Sequence, residues 1–154
     1  MEKYYLEFLD ELCVFLEKDN CDVWNKWMQK AKTIYENNRD LNYFFSSFGG
    51  MGSFNDYYCE DDNIKCIICV LRSVTYNIAT EINNNGNSGI MDILSKERDR
   101  YLNNFSKGYK NDDMLKNFEY LNYILNNYKD LNLHDIDMQF INQHKVNDNN
   151  VMKK

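Results

Sequence analysis

Apolar residues recur at the spacing of an α-helix along nearly the whole of this chain. The first segment shows the pattern clearly, because its apolar residues lie three and four positions apart on one helical face: Tyr5, Phe8, Leu9, Leu12, Cys13 and Leu16. Similar stripes follow in the later segments, and the sequence contains no proline. The pattern predicts an all-α protein, a helical bundle of about five to six helices joined by short connections.

The domain limits are predicted from where this periodicity stops. A chain of 154 residues makes one domain of ordinary size and can bury a core of its own. The periodic segments extend to about residue 145, and the polar residues beyond it show no repeat. We therefore predict a single helical domain over residues 1–145 and a frayed polar tail over residues 146–154.

The third long segment is expected to lie at the centre of the bundle. Residues 64–71 leave almost no polar face, so this helix needs neighbours on every side. Residues 61–63 supply capping oxygens before it, and Gly86 is placed to end it in a left-handed conformation. Cys66 and Cys69 have C-x-x-C spacing, but they lie inside the apolar segment and are predicted to be buried core thiols, not metal ligands.

Charge and cysteine content limit the classes of function. The formal net charge is −6, which disfavours nucleic-acid binding because neutralising phosphates requires clustered Lys and Arg. Five cysteines are an odd number, and the sequence shows neither a signal peptide nor the roughly 18–20 apolar residues needed to cross a bilayer. We expect a cytoplasmic protein with reduced thiols, without nucleic-acid, membrane, cofactor or metal binding.

Three of the six glycines fall within four consecutive positions, Gly49 to Gly52. Glycine tolerates backbone angles closed to other residues, so the path of the chain is tightly specified here. The segment lacks the lysine of a phosphate-binding P-loop. One interpretation is a structural turn in which Ser53 and Asp56 lie at capping-box spacing. The alternative is an enzyme or ligand-binding domain that uses the Gly49–Asp56 turn, in which Gly50, Gly52, Ser53 and Asn55 hold an anionic small molecule.

The stretch that follows, residues 56–62, combines carboxylates with two adjacent tyrosines and contains no basic residue. We call it the acidic segment. Tyrosine is a frequent anchor of protein interfaces, and carboxylates steer basic partners toward a surface. The segment predicts a protein-binding surface formed by Asp56, Tyr57, Tyr58, Glu60, Asp61 and Asp62. The alternative is that one tyrosine packs inward and the carboxylates cap the next helix.

No grouping of residues in the sequence predicts catalysis. His134 and Asp137 lie near the start of the last helix, but the sequence places no nucleophile beside them. Glu7, Asp10 and Glu11 form an acidic group in the first helix, yet the chain contains no Glu-x-x-His of the kind that diiron bundles use. We therefore expect a binding protein, not an enzyme.

The run Phe48 to Asp56, Phe-Gly-Gly-Met-Gly-Ser-Phe-Asn-Asp, resembles the signature of a family of small uncharacterised bacterial proteins. The resemblance covers residues 44–58 and, more loosely, the following helix to about Ile82. Members of such families often lie beside toxins or secretion loci, so the resemblance implies an immunity or antitoxin-like role, and it carries over no catalytic residues. We expect a module that neutralises a basic protein partner, with a structural or oligomerisation bundle as a third possibility.

Overall fold

Seven α-helices make up the fold, which a computed structural model describes for the backbone of residues 1–152 and the side chains of residues 1–144. They are α1 (Glu2–Lys18), α2 (Asp22–Asn38), α3 (Asn42–Phe45), α4 (Lys65–Asn83), α5 (Ile90–Ser106), α6 (Asp112–Asn127) and α7 (Leu133–Met152). A short 3-10 turn, Phe54–Asp56, precedes the acidic segment, and the described residues contain no strand. The predicted all-α, single-domain bundle is confirmed, and α3 is a single turn beside six long helices.

The predicted tail, residues 146–154, stays a prediction. The backbone of α7 is helical as far as Met152. The side chains from residue 145 onward, and the backbone of residues 153–154, lie outside the described residues.

The centre of the bundle is α4, as predicted from its sparse polar face. It packs against α1, α5 and α6, and its apolar side chains are buried on several sides: Cys66, Ile67, Ile68, Val70, Leu71, Val74 and Ile78. Asp61 turns the chain just before it, because its carboxylate accepts the amide of Asn63 at 2.9 Å and its carbonyl accepts the amide of Lys65 at 3.0 Å. No side chain caps the first turn of α4 itself.

The end of α4 differs from the prediction. Asn85, with φ of 51°, is the left-handed residue, and Gly86 is not. Asparagine tolerates this conformation, and the amide of Gly86 then reaches the carbonyl of Glu81 at 2.9 Å. A Cβ atom on Gly86 would overlap the carboxylate of Glu81, which accepts the amide of Ser88 at 2.8 Å. The space beside Gly86 is thus occupied by the carboxylate of Glu81, and a larger residue would require that side chain to move.

Helix α1 closes the bundle by contacting the start of α7. Both oxygens of Glu7 accept hydrogen bonds, one from the hydroxyl of Tyr128 at 2.7 Å and one from the amide of Leu133 at 3.2 Å. Orphan amides at a helix start need acceptors, and here a residue of a distant helix supplies one. The first and last helices are therefore joined by polar contacts as well as by the core.

The cysteines are free thiols, and all five lie within the described residues. Cys66 is buried, as predicted. Cys69 is only half-buried and lies at the edge of a cleft, so the prediction of two buried thiols was wrong for this residue.

Among the described residues, no helix is long and apolar enough to span a bilayer.

Candidate functional site

The glycine turn has a backbone that only glycine adopts readily. Gly49, Gly50 and Gly52 have φ of 99°, 80° and 76°, in the region that side chains disfavour. A Cβ atom at any of the three positions would meet nothing within 4 Å. Glycine is therefore required for the backbone angle and not because another group approaches closely.

The predicted capping box does not form in this turn. The carboxylate of Asp56 accepts the amide of Gly52 at 2.8 Å, across the turn, while the hydroxyl of Ser53 is buried and has no partner among the described residues. The contact between Ser53 and Asp56 is between backbone atoms, amide to carbonyl, at 3.0 Å. An anion bound at Gly52 would have to displace the Asp56 carboxylate, and of the candidate anion-binding residues only Asn55 lines the neighbouring cleft.

The two tyrosines of the acidic segment have opposite environments. Tyr57 is half-buried, and its hydroxyl donates to the carboxylate of Asp19 at the end of α1. Burial and this hydrogen bond raise the pKa of Tyr57. Tyr58 is 65% exposed; the Nζ of Lys65 lies 4.0 Å from its ring centroid and 2.8 Å from its hydroxyl oxygen. One tyrosine thus fixes the segment to the core and the other faces solvent.

The carboxylates of the acidic segment also face solvent. Glu60, Asp61 and Asp62 are exposed, and so is Asp56. Asp61 additionally holds the turn before α4 by accepting the amide of Asn63, so this exposed residue also has a structural contact. A basic group lies close by, because Lys65 pairs with Asp113 of α6 at 3.0 Å.

A cleft of about 800 Å³ opens on the other side of the glycine turn, between α3, α4 and α5. Its walls are aromatic and its charged groups are arginines: Phe45, Phe48, Tyr76, Tyr101, Arg72 and Arg100. Among the described residues no Asp or Glu lines it. The sequence analysis missed this cleft, although Arg72, Tyr76 and Thr80 recur every four residues as a polar stripe on the central helix, which was a detectable signal.

A buried carboxylate joins α4 to α5 next to this cleft. Glu97 accepts hydrogen bonds from the hydroxyl of Ser73 at 2.8 Å and from the amide of Asn77 at 3.1 Å, and it forms an ion pair with Arg100. It lines an adjoining hollow that shares Ser73, Thr80 and Arg100 with the cleft. The ion pair with Arg100 balances the charge of Glu97, and the two neutral donors hold the carboxylate in place. The position of Arg100 is fixed by this carboxylate.

A second polar cluster lies between α1, α6 and α7. The hydroxyl of Tyr120 donates to the fully buried carboxyl of Asp137, and Nδ1 of His134 lies 2.9 Å from the buried carboxylate of Glu11. Burial, opposed in part by the Tyr120 hydrogen bond and reinforced by the nearby carboxylate of Glu11, raises the pKa of Asp137 to about 9. The sequence analysis noted these acidic groups separately, and the fold brings them together.

This second cluster does not form a metal site. Three or more His, Cys, Asp or Glu side chains placed to hold a metal ion occur nowhere among the described residues. The neutral, protonated form of Asp137 is favoured because burial penalises its charged form, and its second oxygen has no hydrogen-bond partner among the described residues.

The comparison with known proteins gives one partial match. A family model described as a domain of unknown function (DUF6966) matches residues 17–67, less than half of the chain. The matched region runs from the end of α1 through the glycine turn and the acidic segment to the start of α4. No curated protein and no solved structure matches the chain.

Proposed function

We propose that this chain is a small cytoplasmic protein-binding module, of the immunity or antitoxin type, that neutralises a basic partner through its acidic segment. The observation that supports this proposal is the exposed ring of Tyr58 among the exposed carboxylates of Glu60, Asp61 and Asp62. Tyrosine is a frequent anchor of protein interfaces, and the neighbouring carboxylates can steer a basic partner toward it, while the Nζ of Lys65 also lies against this ring.

Hydrogen bonds to α1 and α4 fix the acidic segment to the core of the bundle. Tyr57 is bonded to Asp19 of α1, and the guanidinium of Arg72 donates to the carbonyl oxygens of Phe54 and Tyr57 at 2.9 and 3.2 Å. Lys65 holds the exposed ring of Tyr58 in place. A side chain that is already ordered loses little conformational entropy on binding, so this arrangement favours an anchor role for Tyr58.

Charge supports the choice of a basic partner. The protein carries a formal net charge of −6, and the carboxylates of the acidic segment are exposed without a described basic residue bonded to Glu60 or Asp62. Such a field raises the association rate of a basic protein and is weakened by salt.

The first experiment identifies the partner. A photo-crosslinking amino acid replaces Tyr58 in cells of the native organism, with Val23 on α2, 70% exposed, as the matched control position. We expect a covalent adduct with a basic protein from position 58 and not from position 23. Adducts of equal yield from both positions would contradict a role for this segment.

The second experiment measures binding kinetics with the captured partner. Glu60→Lys with Asp62→Lys should lower the association rate at least ten-fold and flatten its salt dependence, whereas Tyr58→Ala should raise the dissociation rate and cost about 2 kcal/mol. Asp61 is left unchanged because it holds the turn before α4.

The matched control is Glu36→Lys with Asp130→Lys, which changes the net charge equally. Asp130 lies after the end of α6, whereas Asp113, which pairs with Lys65, lies at the start of that helix. Glu36 lies near the end of α2, where Arg39 pairs with Glu2 at the start of α1, and the acidic segment contacts the opposite end of α1 through Asp19. Both positions are thus remote from the acidic segment. If this control slows association as much as the test variant, net charge acts and the proposed surface does not. If the partner is toxic, co-expression should protect cells and the test variant should not.

A further inference from the structure

The cleft between α3, α4 and α5 has the composition of a ligand site that the acidic segment does not explain. We propose that it binds a small aromatic anion, a molecule in which a planar ring carries a carboxylate, sulfonate or phosphate. The ring would pack on the aromatic wall and the anionic group would bind Arg72. This site is separate from the proposed protein-binding surface, and neither proposal depends on the other.

The anionic group of the ligand is inferred from the hydrogen bonds and the charge of Arg72. One nitrogen of its guanidinium, Nη1, donates to the carbonyl oxygens of Phe54 and Tyr57, and its charge is paired with no carboxylate among the described residues. The other three arginines of the chain, Arg39, Arg98 and Arg100, each pair with a carboxylate. A guanidinium has five N–H donors, so Arg72 is both fixed in position and able to donate to an anion.

The aromatic half is inferred from the wall of the cleft. Tyr76 stands between two phenylalanine rings, with its centroid 5.5 Å from that of Phe45 and 4.9 Å from that of Phe48, and both pairs are nearly edge to face. Tyr76 is still 39% exposed, so part of its surface faces the cleft. Planar rings pack favourably against such a wall in offset or edge-to-face contacts.

Charge selects against a cation or a neutral ligand. In a protein with a formal net charge of −6, this cleft is lined by Arg72 and Arg100 and by no described carboxylate. Arg100 is paired with Glu97, which leaves Arg72 as the main source of positive potential. The volume of about 800 Å³ lies in the range of roughly 300–1,000 Å³ that small-molecule sites have in general.

The glycine turn contributes to this site in a different way from the one that its sequence suggested. Gly49 and Asn55 line the cleft, so the turn forms one rim. The amide of Gly52 is already bonded to Asp56. The side chain of Arg72, and not the backbone amides of the turn, is the group that binds the anion.

The experiment uses the fluorescent dye 1-anilinonaphthalene-8-sulfonate as the probe and two competitors with the same ring. The competitor 2-naphthoate carries a carboxylate, and 2-naphthalenemethanol is neutral. We expect dye bound by the folded protein to be displaced by the anion at a concentration at least ten-fold lower than by the alcohol. Equal displacement by both competitors, or no dye binding at millimolar concentration, would overturn the proposal.

Variants test whether this preference arises in the cleft. Arg72→Met should abolish the preference for the anion, and Arg72→Lys should retain part of it. Tyr76→Ala should lower the affinity for both competitors at least five-fold. Arg98→Met, on α5 but outside the cleft lining, and Tyr58→Ala should leave dye binding unchanged. A preference that survives Arg72→Met, or competitor affinities that Tyr76→Ala leaves unchanged, would overturn the proposal. Tyr76 is partly exposed, so its variant keeps the test decisive if Arg72→Met unfolds.

Discussion

Two carboxyl groups are buried almost equally in different parts of this bundle and are accommodated in opposite ways. Glu97, 3% exposed, receives an arginine and two neutral donors. Asp137, 0% exposed, receives one tyrosine hydroxyl, and its second oxygen has no partner among the described residues. The first is stabilised as an ion by its neighbours, while the second is stabilised by keeping its proton.

The difference follows from what surrounds each group. Glu97 lies beside an open cleft, where Arg100 can reach it and remain half-exposed. Asp137 lies among buried residues with Glu11 nearby, so ionisation would place a second negative charge in a poorly solvated site. A buried acid therefore indicates a binding region only when its charge is balanced and solvent is near.

The largest effect is expected at Glu97. Glu97→Gln removes the charge that pairs with Arg100 and turns one acceptor into a donor facing Ser73 or Asn77, so the free energy of unfolding should fall by about 2 kcal/mol. Urea denaturation at pH 7 measures it, with Glu17→Gln at an exposed position of α1 as the control. Equal effects of the two variants would mean that the neighbours of Glu97 do not stabilise its charged form.

Asp137→Asn should have the opposite sign. The pKa of this carboxyl is 3.8 in the unfolded reference and about 9 in the folded protein, so its contribution to stability is greatest below pH 4 and is lost as the pH rises toward 9. Asparagine does not titrate, so the variant should match the wild type near pH 4 and exceed its stability at pH 7 by about 1 kcal/mol or more.

Stability curves at pH 4, 5.5, 7 and 8.5 measure this difference. Asp130→Asn, at an exposed position, is the matched control and should run parallel to the wild type. A variant that is less stable than the wild type at pH 7 would show that Asp137 is ionised in the folded state, and the contrast with Glu97 would disappear.

The cysteines give a smaller test of the difference between a buried site in the core and a site beside the cleft. Cys66 is buried, which raises its pKa to about 12, and Cys69 lines the cleft. Cys66→Ala should cost about 1 kcal/mol as a small core cavity, and Cys69→Ala about half as much. A thiol reagent should modify Cys69 first in the folded protein. Faster modification of Cys66 would contradict the assignment.

The smallest effect is expected at His134. Its side chain is 52% exposed although it contacts the buried carboxylate of Glu11, and a glutamine at this position can still donate a hydrogen bond to that carboxylate. His134→Gln should therefore change the free energy of unfolding by about 0.5 kcal/mol or less, as measured by urea denaturation. A loss as large as that of Glu97→Gln would make this side chain a true partner of the buried carboxylate.

Local patterns in the sequence were enough for the helices but not for the polar clusters. The stripe on α1 and the apolar start of α4 predicted buried faces, since helical periodicity is a property of neighbouring residues. The contact between Glu11 and His134 joins residues 123 positions apart, and nothing in either helix alone specifies it. Local sequence also left open which of Tyr57 and Tyr58 packs inward.

The cleft escaped sequence analysis for a related reason. Its walls come from α3, α4 and α5, and a cavity is defined by the spaces between elements rather than by their residues. The end of α4 was mispredicted because glycine is the usual left-handed residue, whereas here the preceding asparagine, Asn85, takes that conformation.

The polar contacts between α1 and α7 have a consequence for how the protein is made. Helix α1 is synthesised first, yet Glu7 receives its partners from residues 121 and 126 positions later in the chain. Long-range contacts form only after the intervening chain is available, so the side of α1 that contacts α7 stays uncovered until the last helix is made, although α2 and α4 can cover the rest of α1 earlier. Nascent chains that stop before Leu133 should be substrates for chaperones, and release of the last helix should commit the whole domain to folding.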